Sequence, residues 1–354
     1  FQDIMVSRLA IDSEIELAKI MDKTLTYEQF PEEMENGWLS RGLSVACNAG
    51  GWGPTPTTPR LTTLWVRQRL MEYGYTQCDT CFDWSGGPYC QVSNITRAIN
   101  DGTGIISYRG LAGPEGWACP SYYVYDLNAL NNAYRGGMMV SIVCGSGHYG
   151  STYTDPCFGE AWIRGGYGST IRGGVVFYGT TDTDTHTRWN NPLMVGLYHG
   201  LFDENLTHFA QAVYRGKILE YTVFPGHTQP YGNVEKYFHT YNPQGDPELN
   251  VWRGTPEVME ADYDGEAPVS ANYLEFSVFD TEHYPLADAY VCALKEVNGE
   301  DEIFSAGKTD ENGYLLLPLN GNPSLGEMFI TITHSDYLPV IDTINVIEPA
   351  VALG

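Results

Sequence analysis

The sequence predicts an α/β domain, a mostly parallel sheet flanked by helices, followed by a separate antiparallel β-sandwich. Two patterns carry that prediction. Up to about residue 256, short apolar runs alternate with stretches of helical periodicity, as expected of parallel strands buried on both faces. Beyond that point strict apolar–polar alternation dominates, with turn residues at regular intervals. At 354 residues the chain is long enough for two cores.

Residues 11–29 place Ile11, Ile15, Leu17, Ile20, Met21 and Leu25 on one helical stripe, with Asp12 or Ser13 as N-cap. Residues 43–47 (LSVAC) read as a buried strand. Residues 58–74 read as a helix, with Pro59 in its first turn and Gly74 at its end. A short helix over 92–102 closes at Gly102, and GIISY (104–108) is a strand. The run 138–147 is an apolar strand that stops at a Gly/Ser-rich turn. A helix over 157–166, a strand over 173–181 and a longer amphipathic helix across 191–216, around Leu201 and Phe209, follow. The runs 273–280, 289–296, 313–319, 327–334 and 344–349 alternate with period two, which predicts a sandwich of about 100 residues, the size of an Ig-like module. Pro256 and the acidic stretch 257–268 form the junction, so the domains are 1–256 and 257–354.

Forty-four acidic residues against 19 basic ones give a formal charge of −25. That argues against nucleic acid and against an anionic membrane surface as partners, since both need basic protein surface. A hydrophobic content of 43% excludes a disordered chain. No apolar run approaches the ~20 residues of a membrane-spanning helix. The chain opens abruptly at Phe1, within a strand-like segment and with no signal-peptide pattern, which we read as a processed or truncated protein.

Of eight cysteines, Cys78, Cys81, Cys90 and Cys119 lie in one aromatic-rich stretch; the others are Cys47, Cys144, Cys157 and Cys292. The cluster suits a disulfide framework. The pair Cys78 and Cys81, with Cys90 and Cys47, could instead hold zinc. A zinc module usually carries a second close pair, and none follows here, so disulfides are the preferred reading.

Sites in α/β sheets form beyond the carboxyl ends of strands. Strand 104–108 runs into RGLAGPEGW, and strand 138–143 into CGSGHYG. Cys144 is therefore a candidate nucleophile, with Gly145 and Gly110 offering backbone N–H groups as an oxyanion pocket. The plainer alternative is a small buried core cysteine.

The segments FQDIMVSRL, KTLTYEQ, INDGTGIISYRG, SIVCGSG, DPCFGEAWIRGG, GGVVFYGTTD, NNPLMVGLYHGLF and YNPQGDPELNVW, in that order, resemble the gingipain family of cysteine peptidases, in the caspase-like clan. The resemblance spans Phe1 to about Pro256. It implies a caspase/gingipain-like sheet, an N-terminal subdomain ahead of this segment, an Ig-like domain behind it, and a secreted protein of the bacterial exterior. The alternating segments after residue 273 also resemble carboxypeptidase-regulatory-like sandwiches of bacterial surface proteins.

In that family a His in a Gly-His-Gly turn pairs with the Cys. The nucleophile position falls on Cys144 and the His position on Leu111, 33 residues upstream. Leucine moves no proton, so the thiol keeps a pKa near ~8.5. The loss of general acid–base help, roughly 10²–10⁴-fold, nearly silences hydrolysis. His148, on the same turn as Cys144, and His186, after strand 173–181, are the substitute bases; His199 is read as a structural helix residue.

The resemblance thus implies a degenerate dyad in a non-proteolytic cell-surface or extracellular assembly protein. The alternative is an active secreted endopeptidase using Cys144 with His148 or His186. Partners are proteins or peptides, with self-association into an oligomer or filament suited by the many tyrosines and glycines. No cofactor is required. Asp182 and Asp184 alternate and could offer oxygens to a structural calcium ion, against an ordinary solvated loop. Asp310, Asn312 and Gly313 read as a turn, and Asp246, Pro247 and Glu248 as a loop-shaping segment.

Overall fold

In the computed structural model a six-stranded sheet organises the first of two units. The strands are β1 (Arg41–Cys47), β2 (Gln77–Asp83), β3 (Thr103–Arg109), β7 (Gly136–Ser141), β8 (Val176–Thr180) and β9 (Tyr241–Gln244), in the order β2-β1-β3-β7-β8-β9. The first five are mutually parallel and β9 is antiparallel. A small antiparallel sheet of β4 (Leu111–Gly113), β5 (Gly116–Cys119) and β6 (Ser121–Tyr123) follows β3 directly. The structure describes residues 4–29, 37–47, 58–83, 90–165 and 170–348. The two compact units are Phe1–Thr255 and Pro256–Gly354.

Strands β3 and β7 are buried along their whole length, because helices cover both faces and alternate residues feed different cores. Ile105, Met138, Val140 and Tyr178 join one core, while Ile106, Tyr108, Met139 and Phe177 join the other. Helix α2 (Pro59–Tyr73) follows the predicted chemistry. Thr58 accepts the Leu61 N–H, Pro59 sits in the first turn, and Gly74 closes the helix at φ +114°. The short helices α3 (Val92–Asn100), α4 (Val124–Leu127) and α5 (Phe158–Arg164) belong to this unit as well.

The structure corrects three expectations. Helix α1 (Glu14–Gln29) buries Lys19, Ile20, Lys23, Thr24 and Tyr27, and exposes Ile15, Leu17, Met21 and Leu25. Lys23 turns inward because it satisfies buried backbone. Lys23 Nζ donates to the carbonyls of Ile163 (2.6 Å), Gly174 (2.8 Å) and Arg172 (3.1 Å).

The helix expected across 191–216 is two, α6 (Thr187–Asp203) and α7 (Phe209–Val223), reversing through Asn205 at φ +60°. Glycine allows the two to touch: a Cβ on Gly196 would lie 2.8 Å from Gly216 Cα. The cysteine cluster holds one disulfide among the described residues, Cys81–Cys90, while Cys78, Cys119, Cys144, Cys157 and Cys292 are thiols. Cys78 and Cys81, three apart on β2, enter opposite cores, so they cannot converge on one zinc ion.

Helix α7 also carries a buried Glu220 whose two oxygens have no hydrogen-bond partner among the described residues. Burial pushes its carboxyl up to about 9, against the pull of Lys217; Tyr178 and Tyr237 are its other titrating neighbours. The folded chain therefore keeps a proton that the unfolded chain releases above the ordinary carboxyl pKa. Its stability falls as pH rises from about 4.5 toward 9. Glu220→Gln is expected to match the wild type at pH 4.5 and to exceed it by at least ~1 kcal/mol at pH 8 in urea unfolding. Equal stabilities at both pH values would contradict a buried neutral acid.

The second unit is a sandwich. One sheet pairs β10 (Met259–Asp262), β12 (Tyr273–Asp280) and β15 (Tyr314–Pro318). The other runs β11 (Glu266–Pro268), β17 (Tyr337–Ile347), β16 (Gly326–His334), β13 (Tyr290–Val297) and β14 (Glu300–Lys308). Its inward residues, among them Phe276, Val291, Ile330 and Ile344, are those that the period-two pattern marks as apolar. Asp310 Oδ1 accepts the Asn312 and Tyr314 N–H groups and Gly313 sits at φ +71°, which is the expected turn.

Candidate active site

Cys144 lies just past the carboxyl end of β7, in a turn fastened to the loop after β8. Gly145 occupies φ +63° and donates its N–H to Asp182 O (2.7 Å); Gly147 donates to Thr180 O (3.0 Å). Among the described residues, the hydrogen-bond partner of the Cys144 thiol is Thr185. Its Sγ accepts the Thr185 N–H at 3.4 Å and lies 3.3 Å from Thr185 Oγ1 and 3.7 Å from Thr185 O. Asn190 Nδ2 donates to that Thr185 Oγ1 (3.2 Å), and Tyr241 donates its hydroxyl to Asn190 Oδ1 (2.7 Å).

The β4 strand comes up against this turn: a Cβ on Gly145 would sit 3.4 Å from Gly113 Cα. Leu111 opens that strand, its side chain 48% exposed and its backbone paired with Cys119. Tyr108 holds it in place. The phenol accepts the Leu111 N–H (3.1 Å), lies 2.6 Å from Leu111 O and 2.8 Å from Cys119 O, and its ring stacks on Trp117. Gly110 fits because a Cβ there would lie 2.6 Å from the Tyr108 hydroxyl and 3.0 Å from Cys47 Sγ. The Gly145 N–H is directed at Asp182 O, so in this geometry that proposed oxyanion donor serves the turn.

No imidazole hydrogen-bonds the thiol among the described residues. His148 donates its backbone N–H to Gly145 O, and its Nδ1 is buried with no hydrogen-bond partner there. His186 is the N-cap of α6; its Nδ1 accepts the Arg188 N–H (3.1 Å), and its own N–H donates to the Tyr237 hydroxyl (2.6 Å). His199 pairs with Asp203 on α6 (2.9 Å), a structural place.

Asp182 is ion-paired with Lys236 (2.6 Å) and accepts the Asp184 N–H (2.8 Å). Calcium needs six to eight oxygens. A cation would have to displace Lys236, and no group of three or more His, Cys, Asp or Glu side chains assembles among the described residues. Asp246 Oδ1 accepts the Glu248 N–H (2.9 Å), shaping its loop.

Thr185 and Arg109 escaped the sequence reading. Arg109 ends β3 and is 1% exposed, with Nη1 and Nη2 both buried and without a partner among the described residues. Its signal was a charge closing an otherwise apolar strand. Burial lowers its pKa to about 10, so it stays cationic at neutral pH.

A parallel sheet with a thiol beyond one central strand, facing a turn from the neighbouring strand, is the fold of the caspase-like cysteine-peptidase class. The chain belongs to peptidase family C25, whose sequence model matches residues 1–252. It is similar to Lys-gingipain HG66 of Porphyromonas gingivalis, 23% identical over 369 residues, which cover 99% of this chain and 20% of that protein. The chain thus spans about a fifth of the length of the curated relatives it matches. Among solved structures it resembles the Arg-specific cysteine proteinase gingipain R, with a TM-score of 0.84 at 20% identity over 98% of this chain and 76% of that one. A complex of Porphyromonas gingivalis RgpB pro- and mature domains matches equally, covering 78% of that chain. At these identities the structural likeness speaks for the fold. No helix among the described residues is long and apolar enough to cross a membrane.

Proposed function

We propose that this chain is a non-proteolytic member of the family, an extracellular or cell-surface protein that holds a protein or peptide partner at the Cys144 cleft. The carrying observation is the company of the thiol: among the described residues its hydrogen-bond partners are all atoms of Thr185, and we read Leu111 as standing at the family's proton-shuttle position. A thiol without an imidazole stays largely protonated at neutral pH, and a leaving amine has no acid. The complex of RgpB pro- and mature domains supports protein binding by such a fold. Self-association through strand edges belongs to the same reading. The reading needs no cofactor.

The competing reading is a working endopeptidase with His148 as base. The buried Nδ1 of His148, four residues from the thiol and without a hydrogen-bond partner among the described residues, favours it. Fluorogenic peptides with varied residues before the cleaved bond separate the two. We expect no turnover above background and only slow Cys144 alkylation. Turnover that disappears in Cys144→Ala would establish the endopeptidase instead.

A further inference from the structure

Arg109 poses an energetic question that the peptidase fold does not answer. Its guanidinium is out of water, and neither terminal nitrogen has a hydrogen-bond partner among the described residues. An unpaired buried charge is among the costliest features a fold can carry. The titrating groups facing it are the phenols of Tyr241 and Tyr237, and burial pushes both upward, so neither is an anion at neutral pH. Glu220, the other buried acid of this region, is also neutral there. Such costs persist where a group serves a site.

The location supplies the site. Arg109 ends β3 at the carboxyl edge of the sheet, where α/β folds bind ligands. It lies within electrostatic reach of Tyr241 and Tyr237, the two phenols that the Cys144 thiol also influences. The hydroxyl of Tyr241 reaches that thiol through Asn190 and Thr185. The net charge of −25 repels anions at long range, so holding one here calls for a local cation. A guanidinium presents a planar fork of N–H donors that matches a carboxylate bidentately, and nearby phenols can add hydrogen bonds.

We propose that Arg109 makes the cleft beside Cys144 a carboxylate-recognition site, so that the peptide held there presents an acidic side chain or a free C-terminal carboxylate to this guanidinium. The proposal rests on the reading that the cleft binds peptides, and it names their class.

The test uses fluorescence anisotropy on the full chain with three short labelled peptides. One carries an internal Glu and an amidated C-terminus, one a Gln and a free C-terminus, and one a Gln and an amide. We expect one of the two carboxylate peptides to bind roughly 10- to 100-fold tighter than the neutral peptide, which also tells side chain from terminus. In Arg109→Gln that preference vanishes, while the neutral peptide binds as before. Arg109→Lys keeps the charge without the fork and retains part of the preference; it serves as the reporter if Arg109→Gln does not fold in thermal melts. Equal binding of all three peptides to the wild type overturns the proposal, as does a preference that survives in both variants. Turnover of fluorogenic peptides would overturn the non-proteolytic reading alone, because the binding preference is then measured in Cys144→Ser.

Discussion

Leu111→His is expected to raise peptide hydrolysis by roughly 10²–10⁴-fold at neutral pH. The substitution places an imidazole on the strand whose Gly113 packs against the Cys144 turn. An imidazolium partner favours the thiolate of a neighbouring cysteine, bringing such pKa values to about 3.5–7.5. Alkylation of Cys144 should therefore accelerate along with turnover, and both gains should vanish in Leu111→His/Cys144→Ala. The change is structurally cheap, because Leu111 is half-exposed and its backbone is held by Tyr108. Surface substitutions of that kind stay within about ±0.5 kcal/mol. If labelling and turnover both stay at wild-type levels while the melting temperature is unchanged, residue 111 is not the position from which a base could serve this thiol.

The parallel strands were readable because a strand buried on both faces must be apolar throughout, as Met138–Met139–Val140 is. Strand β2 was not, since Gln77–Asp83 mixes two cysteines with polar residues and its burial alternates irregularly. Strands β4 to β6 span three or four residues each, too short for any periodicity to register. The split between α6 and α7 hides in the sequence because both flanks stay amphipathic; its marks are Asn205 at positive φ and the touching pair Gly196 and Gly216. The site divides in the same way. Cys144 could be singled out because it follows an apolar strand, and Leu111 through the family resemblance. Thr185 reaches the thiol from a loop 41 residues further on, and Arg109 stands out only once its burial and missing partners are known. Loop-borne partners depend on tertiary placement, which local pattern does not encode.

Helix α1 offers the sharpest contrast between pattern and structure, and stability measurements can decide it. Lys23→Met is expected to cost the first unit about 1–3 kcal/mol, a fall in melting temperature of roughly 2–12 °C for a domain of this size. Methionine fills the space but leaves the carbonyls of Ile163, Gly174 and Arg172 buried without a donor. Burial, and after it the charge of Lys19, pull the Lys23 pKa down to about 7. Tyr27, on the same inward face, is fixed by two bonds from Trp252, one to its hydroxyl (3.0 Å) and one to its carbonyl (2.8 Å), so the helix cannot rotate to spare the lysine. Leu25→Ser, on the outward face, is expected to change stability by no more than ~0.5 kcal/mol. A helix packed by its apolar stripe would give the reverse order, with the leucine costly and the lysine indifferent. Paired urea titrations of the two variants therefore report which face of α1 meets the core, and a costly Leu25→Ser beside a neutral Lys23→Met would mean that the helix is turned the other way.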